Sequence, residues 1–197
     1  MKFYNIMLLL CSALPSCVSV QSIAQPLTAP QADEAHVLLR IIPPDATLVV
    51  REGEIKNGLW VPSVWRGGYQ TTAENGYAIF TLPAGKVFGL DRLQLTSSKG
   101  ETAVEFRACN GLRALVFSTL PAANLYLADV LTRSHSGSLS VQYDKDMADV
   151  RAHPEESGIA DGQAWIDQPY QMVPSMQSCV DKVPEAVKTS RRVRKNR

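Results

Sequence analysis

From His36 onward, apolar residues arrive in bursts too short for helices and too regularly spaced for loops. Nine segments of strand length follow one another: His36–Ile42, Ala46–Arg51, Leu59–Trp65, Tyr77–Leu82, Val87–Leu95, Thr102–Arg107, Leu112–Thr119, Asn124–Val130 and Ser138–Tyr143. They are rich in β-branched, aromatic and leucine side chains, which suit a pleated surface. The separators are turn chemistry: Pro43-Pro44-Asp45, Lys56-Asn57-Gly58, Gly67-Gly68, Glu74-Asn75-Gly76, Pro83-Ala84-Gly85, Ser97-Ser98-Lys99-Gly100, Asn110-Gly111 and Ser136-Gly137. Short strands with turns at this pitch predict a mainly β domain, an antiparallel β-sandwich or Greek-key barrel. Polar and apolar residues partly alternate in Leu112–Phe117 and in Thr102–Arg107. That alternation predicts one packed face and one face in water.

One short helix is expected after the last strand. Asp144 is placed to cap it and Asp146 lies in its first turn. Met147, Ala148 and Val150 supply an apolar side through Ala152, and Pro154 stops it. From Ser157 to Ser178 the pattern breaks on Gly158, Gly162, Pro169 and Pro174. A loop wrapping the body and pinned by Cys179 is the reading. Val180–Val183 adds one short strand or turn, closing a β-rich domain over residues 36–183.

The amino terminus follows another rule. Lys2 precedes an uncharged run, Ile6–Leu14, that matches a secretory h-region and falls short of the roughly 20 apolar residues a membrane-spanning helix requires. Residues 1–24 therefore read as an export signal and 25–35, with Pro26 and Pro30, as a linker. Leu14-Pro15-Ser16-Cys17 resembles the lipobox of bacterial lipoproteins. The resemblance implies a lipid on Cys17 and a domain tethered to the membrane. Ser22-Ile23-Ala24 offers an ordinary signal-peptidase site before Gln25, which would leave the protein secreted or soluble in the periplasm.

A second likeness covers Leu82 to His153. Leu82-Pro83-Ala84-Gly85, then Ala122–Val130, then Leu139-Ser140-Val141 and a helix holding Asp146, Ala148 and Val150 are similar to a family of small uncharacterised bacterial envelope lipoproteins with a β-sandwich body. That resemblance implies fold and location and brings no catalytic residue.

Composition changes this picture in two places. Hydrophobic content of 45% and charged content of 20% are ordinary for a globular chain, but the net charge of +1 conceals an asymmetry. Seven of the 20 basic residues and one of the 19 acidic ones fall within Lys182–Arg197, so the body is net acidic. The tail, residues 184–197, reads as disordered. Arg191, Arg192, Arg194 and Lys195 are its candidates for binding an anionic envelope surface. An exported chain rarely meets nucleic acid, so none is expected as a partner; another envelope protein is. The second change comes from cysteine. Of the four, Cys11 leaves with the signal and Cys17 is lipidated or removed. Cys109 and Cys179 remain, and in an oxidising compartment they are expected to pair, with two free thiols as the alternative.

Candidate chemistry is sparse. Trp60, Trp65 and Tyr69 lie in one aromatic segment and are candidates for stacking on a saccharide or peptide; the competing reading buries those rings in the core. No CxxC occurs and His36, His135 and His153 are scattered, so no metal is expected. There is no phosphate-cradling glycine loop and no dinucleotide fingerprint, so no cofactor is expected either. Ser134, His135 and Asp129 assemble a hydrolytic triad only on paper, because no GxSxG elbow is present. The reading that results is an exported, lipid-anchored envelope protein with a structural or interaction role and no evident catalysis. A secreted binding module using Trp60–Tyr69, and an envelope hydrolase, are the alternatives.

Overall fold

A computed structural model describes residues 19–21, 27–64, 67–96, 102–135, 138–152, 157–159 and 163–179. Cys17, Trp65, the Val180–Val183 segment and the basic tail lie outside these residues. The fold is mainly β, with two sheets and one short helix.

The larger sheet holds β1 (Ser19–Gln21), β3 (Ala46–Lys56), β4 (Leu59–Pro62), β5 (Tyr69–Thr72), β7 (Val87–Thr96), β8 (Thr102–Arg107), β9 (Arg113–Ser118) and β13 (Tyr170–Pro174). Its order is β1-β5-β3-β7-β9-β13, with β4 on β3 and β8 on β7. The smaller sheet holds β2 (Glu34–Ile42), β6 (Tyr77–Pro83), β10 (Ala123–His135), β11 (Ser138–Asp144) and β12 (Ile166–Asp167). Its order is β11-β10-β2-β6, with β12 on β10. Most ladders are antiparallel. β1–β5, β2–β10 and β10–β12 are parallel.

Turn chemistry sets the hairpins. Asn57-Gly58, Asn75-Gly76 and Asn110-Gly111 each place both residues at positive φ, the conformation a tight two-residue turn demands. At Asn57-Gly58 the ladder closes with Lys56 opposite Leu59, and at Asn75-Gly76 Glu74 bridges Tyr77.

Between the sheets lies the main core. Every second residue of β2 points into it (Ala35, Val37, Leu39, Ile41), as do Leu48 and Val50 of β3, Phe80 and Leu82 of β6, Phe88, Leu90 and Leu93 of β7, and Leu115 and Phe117 of β9. Phe88 stacks on Phe117 with centroids 6.1 Å apart. Strand alternation expected of Leu112–Phe117 is corrected. Ala114, Leu115, Val116 and Phe117 are all buried, because Leu115 and Phe117 face the core while Ala114 and Val116 face a second cluster around Trp60.

The helix α1 (Met147–Ala152) is where the sequence placed it, with a different cap. Asp146 Oδ1 accepts from the Asp149 amide (3.1 Å), whereas Asp144 Oδ1 accepts from the adjacent Lys145 amide. Four strands lie outside the expected segments, and one of them, β1, falls within the stretch read as an export signal. β5 is polar in composition, and β12 and β13 lie within the stretch read as a wrapping loop. Leu27, inside the stretch read as a linker, is fixed to the body: its amide donates to Gly158 O (3.0 Å) and its side chain packs over the smaller sheet.

Candidate functional site

Two polar clusters stand on the two outer faces of the sandwich. The first is built on the parallel pair β2–β10. Register puts His36 opposite Asn124, Leu38 opposite Tyr126 and Arg40 opposite Asp129. Simple alternation from Asn124 and Tyr126 would turn Ala128 outward. A bulge between Tyr126 and Ala128 shifts the phase, so that Leu125, Leu127, Ala128 and Val130 all enter the core and Asp129 emerges facing Arg40.

Asp129 is then fully engaged. It accepts from Arg40 Nε (2.8 Å) and Nη2 (2.6 Å) in a forked pair, and from the Tyr126 hydroxyl (2.6 Å). The same hydroxyl accepts from the Asp146 amide (3.1 Å) at the start of α1. Arg40 also pairs with Asp149 of α1. The bond to Asp129 raises the Arg40 pKa. Burial, followed by the bond to Asp129, raises that of Tyr126. Two residues along, His36 Nδ1 donates to Asn124 Oδ1 (3.1 Å), and Asn124 Nδ2 donates to Gln163 Oε1 (3.0 Å). Burial lowers the His36 pKa below its ordinary 6.5, against the opposing pull of Asn124. A lid closes over this face. Val150, Ile159 and Trp165 pack on Leu38, Tyr77, Ile79 and Tyr126, while Trp165 Nε1 donates to Ser157 Oγ (2.8 Å). Lys145 ties β11 to the lid through Asp167 and the Gln168 carbonyl.

The second cluster occupies the outer face of the larger sheet. The β3–β4 hairpin folds Trp60 onto that face, where it is 0% exposed against Ala108, Ala114, Val116 and Val173. Gly53 and Gly89 form its bed: a Cβ on either would lie 2.6 Å or 2.5 Å from the indole. Beside it, Arg92 of β7 stands directly opposite Arg107 of β8, and Arg51 of β3 stands opposite Gly89. Asp91 pairs with Arg51 (Nε to Oδ2, 3.2 Å). Glu105 pairs with Arg107 and accepts from Gln94 Nε2 (2.6 Å). Burial raises the Asp91 pKa in spite of Arg51, Arg92 and Arg107 around it.

The sequence-predicted residues scatter. The expectation that Trp60 offers a stacking surface is corrected, since both faces of its indole are covered. Tyr69 meets Phe88 edge-on (5.7 Å) in the main core, and Phe88 and Gly89 point to opposite faces of β7, so Trp60 and Tyr69 lie on opposite sides of the larger sheet. Ser134 and Asp129 are five residues apart on one extended strand, roughly 16 Å, which separates that triad. Cys109 and Cys179 do come together as a disulfide pair, Cα atoms 5.4 Å apart. Among the described residues no group of His, Cys, Asp and Glu is arranged to hold a metal, and no helix is long and apolar enough to cross a membrane. An open groove of about 260 Å³, lined by Ile55, Val87, Phe117 and Tyr170, contains none of the predicted binding residues.

The sequence points to Trp60 and Asp129, but for other chemistry, and assembles neither cluster. Each announces itself only as charges inside otherwise apolar strands: Arg40 in His36–Ile42, Asp129 in Asn124–Val130, Asp91 and Arg92 in Val87–Leu95. No protein-family model matches the chain, and no curated protein matches it.

Proposed function

We propose that this is an exported envelope protein, held to a membrane by a lipid on Cys17, whose β-sandwich serves a structural or interaction role. The observation that carries the reading is the pairing of an export-type amino terminus, ending in Leu14-Pro15-Ser16-Cys17, with a body whose two remaining cysteines meet at 5.4 Å between Cα atoms. Disulfides persist in oxidising compartments, and both halves of the observation point there. An interaction role is favoured over hydrolysis by the state of the carboxylates. Asp129, Asp149, Asp91 and Glu105, the acids of the two clusters, are each committed to an arginine. Intact-mass spectrometry of membrane-extracted protein tests the anchor. Acylated Cys17 as the first residue is the expected result; an unmodified start at Gln25 overturns it, and Cys17→Ser should release the protein from the membrane fraction.

A further inference from the structure

We propose that the outer face of the larger sheet binds a phosphate group at Arg92, between Arg51 and Arg107. The proposal rests on the body of the fold alone and stands whether or not Cys17 is acylated.

The strand register crowds three guanidinium-bearing positions onto one face. Arg92 lies directly opposite Arg107, and Arg51 stands on the neighbouring strand opposite Gly89, three residues before Arg92. Like charges at directly opposed positions of a ladder, with Cβ atoms roughly 5 Å apart, destabilise a sheet unless something neutralises them. Two carboxylates share the face, and each is spent on one arginine: Asp91 on Arg51 and Glu105 on Arg107. Arg92 is left over. Among the described residues no hydrogen bond or ion pair reaches its side chain, whose Nε is buried without an acceptor. The Nε of Arg51 also lacks a hydrogen bond, because Asp91 at 3.2 Å is poorly aligned with it. Buried donors without acceptors are rare in native structures and call for a partner.

The face therefore carries one positive charge more than it neutralises and guanidinium donors it does not use. A phosphate supplies what is missing. Its tetrahedral oxygens accept forked bonds from several guanidiniums at once, a geometry that the point charge of a lysine does not offer. The smaller sheet shows what the same ingredients look like when no ligand is needed: there Arg40 has two carboxylates, Asp129 and Asp149.

The test uses the full exported chain, with inorganic phosphate titrated calorimetrically against chloride at equal ionic strength. Arg92→Gln should weaken phosphate binding at least tenfold, Arg92→Lys should fall between, and a chain with Arg191, Arg192, Arg194 and Lys195 changed to Gln should bind as the native one does. Vesicles of phosphatidylglycerol, set against phosphatidylcholine, then separate the sources. Arg92-dependent binding to the first alone names a lipid headgroup; phosphate binding without vesicle binding names a small soluble anion. The proposal is overturned if neither phosphate nor phosphatidylglycerol binds, or if R92Q binds both as well as the native chain. It is overturned equally if R92Q melts earlier than the native chain in phosphate-free buffer, because Arg92 would then be serving the fold.

Discussion

The two outer faces of this sandwich solve the same problem in opposite ways. Each carries charged residues that interrupt an apolar strand, and each is partly covered. On the smaller sheet, α1 and the segment around Trp165 close over Arg40, Tyr126 and Asp129, and these three and Trp165 are all hydrogen-bonded. On the larger sheet the cover is a single indole, and three N–H donors lack acceptors: Arg51 Nε, Arg92 Nε and Trp60 Nε1. A face whose polar groups are all paired serves stability. One with unspent donors is either strained or open to a ligand, and its paired arginines are also the more exposed ones. Arg51 and Arg107 keep 36% and 48% of their side-chain surface in water, against 16% for Arg40. The open face is the one that can meet a partner.

Trp60 gives the largest expected effect. Trp60→Ala should cost about 3–5 kcal/mol in chemical denaturation, as removal of a fully buried tryptophan does. A loss below about 1 kcal/mol would mean that the indole is a surface group and would erase its place in the comparison. Next comes the disulfide. Reduction, or the double change of Cys109 and Cys179 to Ser, should cost about 2–4 kcal/mol, read as a lowered midpoint in reductant. Asp129→Ala follows at about 2–3 kcal/mol, because it strips the forked partner from a largely buried arginine. Arg92→Gln, the matched change on the open face, should leave stability within about 0.5 kcal/mol. Equal losses from these two variants would collapse the contrast between closed and open faces.

The smallest effect is a pH dependence confined to the closed face. Burial lowers the His36 pKa in the folded state, so folding favours the neutral ring. Its stabilising contribution is whole above the unfolded value of 6.5 and is lost as pH falls from there through the folded value. Melting temperatures measured from pH 7.5 down to pH 5 should therefore drop more steeply for the native chain than for His36→Gln. Parallel curves would show that His36 titrates as if exposed.

Much of the fold is legible in residue order. The Asn-Gly pairs fix three turns, and all nine expected strands are present, most of their ends within a residue. β5 escaped because Tyr69-Gln70-Thr71-Thr72 carries little apolar signal. Its Thr71 is buried by neighbouring strands, which local sequence does not report. β13 escaped because Pro174 and the nearby Pro169 suggest a loop, while an edge strand tolerates proline. The site was less legible still. Opposing charges in His36–Ile42 and Asn124–Val130 are visible, but their meeting depends on parallel pairing across 89 residues and on a one-residue bulge. Trp60 was read both ways, and what buries it is a pair of glycines, Gly53 and Gly89, on two other strand segments.

The position of the disulfide has a mechanical consequence. β13 is zipped antiparallel to β9 with Pro174 opposite Arg113, so tension on the chain beyond it would open that ladder one bond at a time. Cys179 lies five residues past Pro174 and is bonded to Cys109, just ahead of the β8–β9 turn. A pull arriving from the tail is therefore diverted through sulfur into the β8–β9 connection before it reaches β13. The edge strand bears no load while the bond is intact; once the bond is reduced, β13 becomes the first element to peel.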